Sequence, residues 1–436
     1  MSYQAFLDKK RRVWSGVGVE ANALPAQLFD WQAAIVRWAT RKGRAALFAD
    51  TGLGKSFMQV SWARAINKRT LFLAPLCVAE QTVSEAAKLG VTLVYAQRSE
   101  DAPDSQFVIT NYERIDQFDM RGFDAVVLDE SSILKAFDGK TRTKLIDVCK
   151  DVTYRLCCTA TPSPNDIAEL ANHAEFLGIM TRAEFLATWF IHDDAGWRIK
   201  KHAVQPFYRW LASWAVALRS PSDLGFSDAG FKLPPLTVID HIVDTEGKTA
   251  GGVLFPEMGL KGLTGRLAAR RDSLAERVAV AVRLVAEKPD EQWLIWCGLN
   301  PEAEAITDAI DGAVNVEGSD TYAEKSASVL GFTGGRINTL VSKVKILGYG
   351  MNLQNCRNVI FLGVGDSFEQ YYQAIRRCWR FGQKHPVTAH VIVSDAERAV
   401  IENVRRKETA ARQLSDALIQ HMVEFEREEI AVTLSA

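Results

Sequence analysis

Lys55 and Ser56 close a stretch, Leu47-Phe-Ala-Asp-Thr-Gly-Leu-Gly-Lys-Ser56, whose residue types suit a polyphosphate. Glycines at 52 and 54 let backbone N–H groups close around phosphate oxygens, with Thr51 and Leu53 completing the loop. An ammonium at Lys55 reaches the β- and γ-phosphates, and a hydroxyl at Ser56 ligates Mg2+. Asp129-Glu130 is the second pair able to do chemistry. Its first carboxylate suits the Mg2+ shell, and its second can orient and activate an attacking water. Each pair also has a plainer reading, a glycine turn or a solvated acidic loop. Together and in this order they imply ATP and Mg2+ as cofactors. One departure stands out: Ala49 replaces the first glycine of the usual G-x-x-x-x-G-K-[ST] pattern.

These residues need rigid supports, and the flanking pattern supplies them. Ala45 to Ala49 is an apolar run of strand length, and Phe57 to Ile66 carries apolar residues at helical spacing, so the loop joins strand to helix. The helix N-terminus would then face the phosphates with its positive dipole end. Further strands are expected at Thr70–Leu73, Thr92–Tyr95, Phe107–Ile109, Ala125–Leu128 and Tyr154–Cys158, alternating with helical patterns. Such alternation indicates a parallel sheet covered on both faces, with ligands at the C-terminal strand ends. Polar clusters fall there: Pro75, Thr110-Asn111-Tyr112, Asp129 to Ser132 and Thr159-Ala-Thr161-Pro162. Upstream, Gln32 offers one donor and one acceptor side by side, a match for an adenine edge.

In order, Leu28-Phe-Asp-Trp-Gln32, Ala49 to Ser56, Leu73 to Val78, Ile109 to Glu113, Asp129-Glu-Ser-Ser132 with Lys135, and Cys158 to Asn165 resemble the superfamily-two helicases and translocases. The likeness is to the SWI/SNF-type branch with its DEAH-like box. Later segments resemble the same family: Val316 to Asp320, Gly331-Phe332, Leu340 to Gln354 and Gln373-Ala-Ile-Arg-Arg377-Cys-Trp-Arg380-Phe-Gly-Gln383. The resemblance implies an α/β fold of two tandem RecA-like lobes. Each would be a mainly parallel sheet flanked by helices, with a small helical insertion between them and ATP bound between the lobes. It implies nucleic-acid contacts at Pro75, Thr110, Asn111, Lys135, Thr159, Thr161, Ser342, Lys343 and Asn352. Gly350, with Gly348 and Asn352, would form a loop sensing nucleotide and DNA backbone. Arg377 and Arg380, three apart and so expected on one helix face with Gln373 ahead of them, would neutralise charge spreading over the γ-phosphoryl.

The expected organisation is an arm or peripheral helix at 1–22, an ATP-binding lobe at 23–180, an insertion and linker at 181–235, a second lobe at 236–400, and a brace helix at 401–436. In the insertion, Trp189, Phe190, Trp197, Phe207, Tyr208, Trp210 and Trp214 surround Lys200-Lys201-His202. Such a mixture can stack on bases. The preferred reading is a small helical core, because Trp210 and Trp214 share a helix spacing. The second lobe is expected to begin with strand Leu236–Val243, followed by a Gly-rich excursion over 245–264 and a helix from Gly265 to Ala286.

A net charge of −1 argues against a globally basic coat, though not against a local basic groove. Seven scattered cysteines with no CxxC spacing indicate reduced thiols, not disulfides or zinc. The start, MSYQAFLDKKRRVW, has no apolar core, and no run of 18 apolar residues occurs, so a cytoplasmic protein with no membrane span is expected. The phosphate loop is one residue shorter than the form usual in nuclear remodellers. With no large accessory insertion present, the chain looks more like a compact bacterial or bacteriophage member. The leading expectation is a monomeric ATP-dependent translocase on duplex DNA, with partner proteins in DNA processing. A strand-separating helicase is the alternative; it needs a wedge hairpin, and no Asn-Gly hairpin signal occurs. A nucleotide-gated DNA clamp is weaker still, since a clamp has no need of Lys55, Glu130, Arg377 and Arg380.

Overall fold

The computed structural model describes residues 13–21, 23–135, 139–163, 166–193, 196–244, 270–347, 352–363, 365 and 367–435. The chain divides into two compact units, residues 1–231 with 410–436, and residues 232–409.

In the first unit the strands are β1 (Arg44–Ala49), β2 (Thr70–Ala74), β3 (Val94–Tyr95), β4 (Phe107–Asn111), β5 (Ala125–Asp129) and β6 (Tyr154–Cys158). A two-stranded hairpin follows, β7 (Phe190–Asp193) with β8 (Gly196–Ile199), and then β9 (Ala215–Leu218). The main sheet runs β3-β4-β2-β5-β6-β1-β9 with every pairing parallel. Its central strands are apolar without alternation because helices cover both faces; β2, β4 and β5 are buried along their whole length. The second unit carries β10 (Leu236–Val243), β11 (Trp293–Cys297), β12 (Val314–Val316), β13 (Thr339–Lys343), β14 (Asn358–Leu362) and β15 (Val387–Ser394). They form a six-stranded, all-parallel sheet in the order β10-β15-β14-β11-β13-β12. Its core gathers Trp293, Ile295, Val341, Ile360 and Ile392 from the strands with Ala281, Leu284, Ala303 and Ile306 from helices. Two α/β lobes of RecA-like type, each a mainly parallel sheet flanked by helices, are thus the observed fold.

The segment 181–235 departs from the expected helical insertion. It holds helices Arg182–Trp189 and Val204–Ala212, but also the hairpin and β9, which pairs with β1 as the edge of the first sheet. Four apolar residues show no period of their own, so only the pairing Ala46↔Ala215 to Ala49↔Leu218 reveals β9. Trp214 lies beyond the helix end, not on a shared helix face, yet its ring meets Trp210 at 5.3 Å. Trp189, Phe190, Phe207, Tyr208, Trp210 and Trp214 are all buried in the core of the first unit. These six are core, as expected, but of the first unit as a whole and not of a separate helical insertion, and Trp197 is half-buried against them.

Other differences lie at the margins. The described part of the N-terminal arm, residues 13–21, contains no helix. Val17, Gly18 and Val19 instead donate N–H bonds to Lys42, Arg41 and Thr40 carbonyls. These are carbonyls that the helix Asp30–Lys42 leaves unsatisfied at its C-terminus. A Cβ at Gly18 would collide with the Thr40 carbonyl oxygen, so the close approach requires glycine there. The expected excursion at 245–264 and the start of the helix expected from Gly265 lie outside the described residues; the helix is observed over Leu274–Ala286. Six cysteines are free and buried, while the side chain of Cys77 lies outside the described residues.

The C-terminal helix, Arg398–Ser435, reaches back to the first unit from residue 410 on. Leu418, Ile419 and Met422 join its core, and Glu426 accepts the N–H of Ala217 on edge strand β9 at 2.7 Å. An edge strand offers unpaired N–H groups, and this carboxyl satisfies one of them. Burial holds the Glu426 carboxyl well above the usual carboxylate range, with Asp223 nearby acting the same way. The folded chain therefore keeps a proton that the unfolded chain releases above about pH 4.5, so this group's stabilising contribution falls as pH rises from there. Glu426→Gln keeps an acceptor for Ala217 and removes the titration. Thermal melts should show the variant gaining stability over the parent at pH 8 and little at pH 5, each unit of pKa shift counting for about 1.4 kcal/mol. Equal melting differences at both pH values would contradict it.

Candidate functional site

The phosphate loop is built as its glycines dictate. Gly52 and Gly54 adopt φ of 85° and 72°, left-handed conformations that glycine takes without strain. Gly54 is the N-cap of the helix Lys55–Ile66, which has neither a side-chain cap nor an acidic residue in its first turn. The first-turn N–H groups and the positive end of the helix dipole are thus compensated by no side-chain cap and no acidic residue of that first turn, which suits an anion. Lys55 Nζ donates to the carbonyls of Ala49 at 2.9 Å and Asp50 at 3.2 Å, at the C-terminal end of β1. Thr51 N donates to Asp50 Oδ1 at 2.6 Å. Gln32 is brought against this loop: its Nε2 donates to Leu53 O at 3.0 Å, and its Oε1 accepts from Phe29 N at 3.1 Å.

Asp129 ends β5, separated from β1 by β6 alone. Its Oδ1 accepts from Gln59 Nε2 at 2.6 Å, and its backbone carbonyl accepts from the Tyr112 hydroxyl at 2.5 Å. Burial pushes the Asp129 carboxyl up, while the Gln59 hydrogen bond and the positive charge of Lys55 oppose that shift. Lys55, Ser56 and Asp129 therefore form a sparse set of one cation, one hydroxyl and one carboxylate. A magnesium ion, which keeps several waters and takes phosphate oxygens, needs no more from the protein than Ser56 and Asp129. The buried Gln59 Oε1, which accepts no hydrogen bond among the described residues, adds a spare acceptor beside the carboxylate.

Glu130 follows with φ of 53°, a left-handed backbone rare for a side chain other than glycine, asparagine or aspartate. The strain is held by what comes next. Ser131 Oγ lies 3.2 Å from His173 Nε2, and Asn172 Nδ2 donates to Leu134 O at 2.8 Å. Burial lowers the His173 pKa to about 3, so the ring is neutral at ordinary pH. No motif marks Asn172 or His173, and Tyr112 stands out in the sequence only within the strand-end cluster at 110–112 and the segment Ile109 to Glu113. Gln59 falls one turn after Lys55 on the same helix face, a spacing that could have flagged it.

The remaining residues of the first unit divide by exposure. Pro75 is the N-cap of the helix Leu76–Lys88. Thr110 and Asn111 are buried in β4, with Asn111 Nδ2 donating to Glu113 Oε2 at 2.6 Å. Thr159 is fully buried and accepts from Thr161 N at 3.1 Å, so this loop caps itself. Lys135 is half-buried at the end of the 3-10 turn Ser131–Lys135.

In the second unit the helix carrying Gln373 runs Phe368–Ile375 and stops there. Arg377 and Arg380 therefore follow the helix in turns and do not share a helix face as their spacing suggested. Arg377 Nη2 donates to Gln373 Oε1 at 2.6 Å and its Nε to Gln373 O at 3.0 Å. Arg376, at the C-cap, lies over the rings of Trp379 at 4.4 Å and Tyr372 at 5.0 Å. Leu353 N donates to Arg377 O at 3.0 Å, which ties the arginine to the exposed Asn352 segment. Ser342 is fully buried, with its hydroxyl donating to Val316 O at 2.8 Å, so it is spent within the sheet. Lys343 Nζ donates to Asn300 Oδ1. Gly350 and Gly348 lie outside the described residues.

The class this geometry defines is an α/β protein of two parallel-sheet units, the first with a glycine-bounded loop at a helix N-terminus and an acidic pair at a strand end. Residues 276–382 match the helicase conserved C-terminal domain. No curated protein matches the chain. Among solved structures, the SWI2/SNF2 ATPase core of Sulfolobus solfataricus, determined in complex with dsDNA, is 16% identical with a TM-score of 0.44, over 91% of this chain and 96% of that one. No described helix is long and apolar enough to cross a membrane.

Gly54 offers a direct check on the loop. A Cβ there would stand 2.5 Å from Gln32 Nε2, on a backbone at φ 72°. Gly54→Ala should destabilise the fold by about 1–2 kcal/mol and weaken nucleotide binding at least tenfold (~1.4 kcal/mol). Fluorescent-nucleotide titration with a parallel thermal melt measures both. Unchanged affinity would remove the loop from the binding site.

Proposed function

We propose that this chain is an ATP-dependent motor that moves along duplex DNA. The observation that supports it best is that the buried Asp129 at the end of β5 feels the charge of Lys55, on the helix that follows the glycine loop after β1. The helicase C-terminal match over 276–382 adds the second part of a motor. In this reading a bound γ-phosphate competes with the Ala49 and Asp50 carbonyls for the Lys55 ammonium, and Glu130 orients the attacking water. Ser56 and Asp129 hold Mg2+, which supplies charge neutralisation on the phosphates. Arg377 and Arg380 act on the same γ-phosphoryl. DNA is gripped mainly through its phosphates, so affinity falls with salt and sequence preference is low. A cytoplasmic setting and a bacterial or bacteriophage source belong to the same proposal.

A strand-separating activity is the second reading, and one feature favours it. The β7–β8 hairpin is anchored by Phe190, stacked on Phe185 at 5.3 Å, and carries the cross-strand pair His192 and Trp197 on the same face. No local turn signal marks it, because residues 194–195 are Asp-Ala and not Asn-Gly.

ATP turnover should rise on adding duplex DNA, and Lys55→Ala should abolish it. Glu130→Gln should bind Mg·ATP yet lose hydrolysis, because the amide keeps the shape without acting as a base. Arg377→Ala should keep ATP affinity while kcat falls by about 10³-fold or more. Near-normal kcat with weakened DNA binding would recast Arg377 as a phosphate anchor. Triplex displacement without unwinding of a forked duplex supports the translocase; forked-duplex unwinding that Trp197→Ala removes supports the helicase.

A further inference from the structure

Gln59 has no role in the reading above, yet it is fully buried and polar. It belongs to the helix Lys55–Ile66, one turn after Lys55, so the two side chains lie on one face and lean toward the helix N-terminus. Its Nε2 grips Asp129 Oδ1 across 70 residues of chain at 2.6 Å. The Cys158 thiol at the end of β6 lies in hydrogen-bonding reach of the same amide. An ionised carboxylate only accepts hydrogen bonds, so the amide must present its NH2 to Asp129 and turn Oε1 elsewhere. That Oε1 is buried and accepts no hydrogen bond among the described residues.

We propose that Gln59 is a positioning residue for the metal site: through its Nε2 bond to Asp129 Oδ1 it fixes the rotamer of the carboxylate to the helix that also carries Lys55 and Ser56. The inference rests on the ATP reading. It deepens that reading by linking phosphate loop and acidic pair through one side chain instead of through the nucleotide alone. Tyr112 holds the Asp129 backbone from the other side, so the carboxylate is fixed at both ends. Outer partners of metal ligands typically change metal affinity by about 10–100-fold when removed.

The test separates metal affinity from nucleotide affinity. Fluorescent ADP is bound to the full chain in EDTA, and Mg2+ is then titrated into the complex. Gln59→Leu should leave ADP affinity in EDTA unchanged and raise the half-saturating Mg2+ concentration about tenfold or more. Gln59→Met, closer in length and flexible enough to fill the site, serves as the second variant where Leu fails to fold. A Mg2+ half-saturation equal to that of the parent in either folded variant overturns the proposal. Equal loss of ADP binding with and without Mg2+ also overturns it, since Gln59 would then only pack the loop. Failure of the parent chain to bind ADP under any condition would instead overturn the nucleotide-site reading and this inference with it.

Discussion

A carboxylate buried at the end of a parallel strand is costly unless hydrogen bonds and a nearby cation offset its desolvation, and Asp129 is a carboxylate so placed. The rest of the first unit is arranged to meet that demand. Gln59 approaches from the helix after the phosphate loop, Tyr112 from the turn after β4, and Lys55 supplies positive charge from β1's end. Gln59 and Lys55 share one βα unit, while Tyr112 and Asp129 itself come from two others. The sheet must therefore have its strands in the observed order before the site exists at all. A site of this kind cannot form in an isolated fragment of the unit.

The same logic explains why the chain closes on itself. β9 is short and lies at the edge of the sheet, next to the strand that feeds the phosphate loop. Left bare, it would expose backbone donors beside β1. The C-terminal helix covers it, and the Glu426 carboxyl reaches the Ala217 N–H across 209 residues. At the opposite end of β1, the arm at Val17 to Val19 caps the carbonyls of the helix that precedes it. Both ends of the chain thus stabilise the strand and helix that flank the loop. Lys42 joins the two devices, binding Glu429 at 2.7 Å and the Trp14 carbonyl at 3.2 Å.

The second unit places its charge differently. Arg270 and Arg277 converge on Glu302 in a buried cluster, with Arg270 Nη2 at 2.6 Å from one oxygen and Arg277 Nη1 at 2.9 Å from the other. Glu302 also accepts the N–H groups of Gly298 and Leu299, just past β11. Buried ion pairs contribute little net stability but are costly to break, so this cluster fixes the strand end more than it strengthens the fold. Its contrast with Asp129 is chemical: Glu302 is held by two guanidinium groups and two backbone N–H groups, whereas the Asp129 carboxylate is held by the neutral amide of Gln59.

How much of this was legible depends on the range over which each feature is encoded. Glycines at 52 and 54, the apolar runs of β1, β2, β5, β6, β11 and β14, and the Asp129-Glu130 pair are local statements about backbone freedom, burial and charge, and the sequence by itself determined them. So were the residues of the aromatic core, since large apolar rings have few other places to go. Only the tertiary structure decided that Ala215–Leu218 is a sheet strand, that Phe190–Ile199 folds as a hairpin, and that the helix at Gln373 ends at Ile375 before either arginine. It alone decided that Gln59, His173 and Glu426 are working side chains. Each of these depends on a partner 42 or more residues away, such as Ser131 for His173. Periodicity reports which face of an element is buried; it carries no information about which polar group waits on the neighbouring strand.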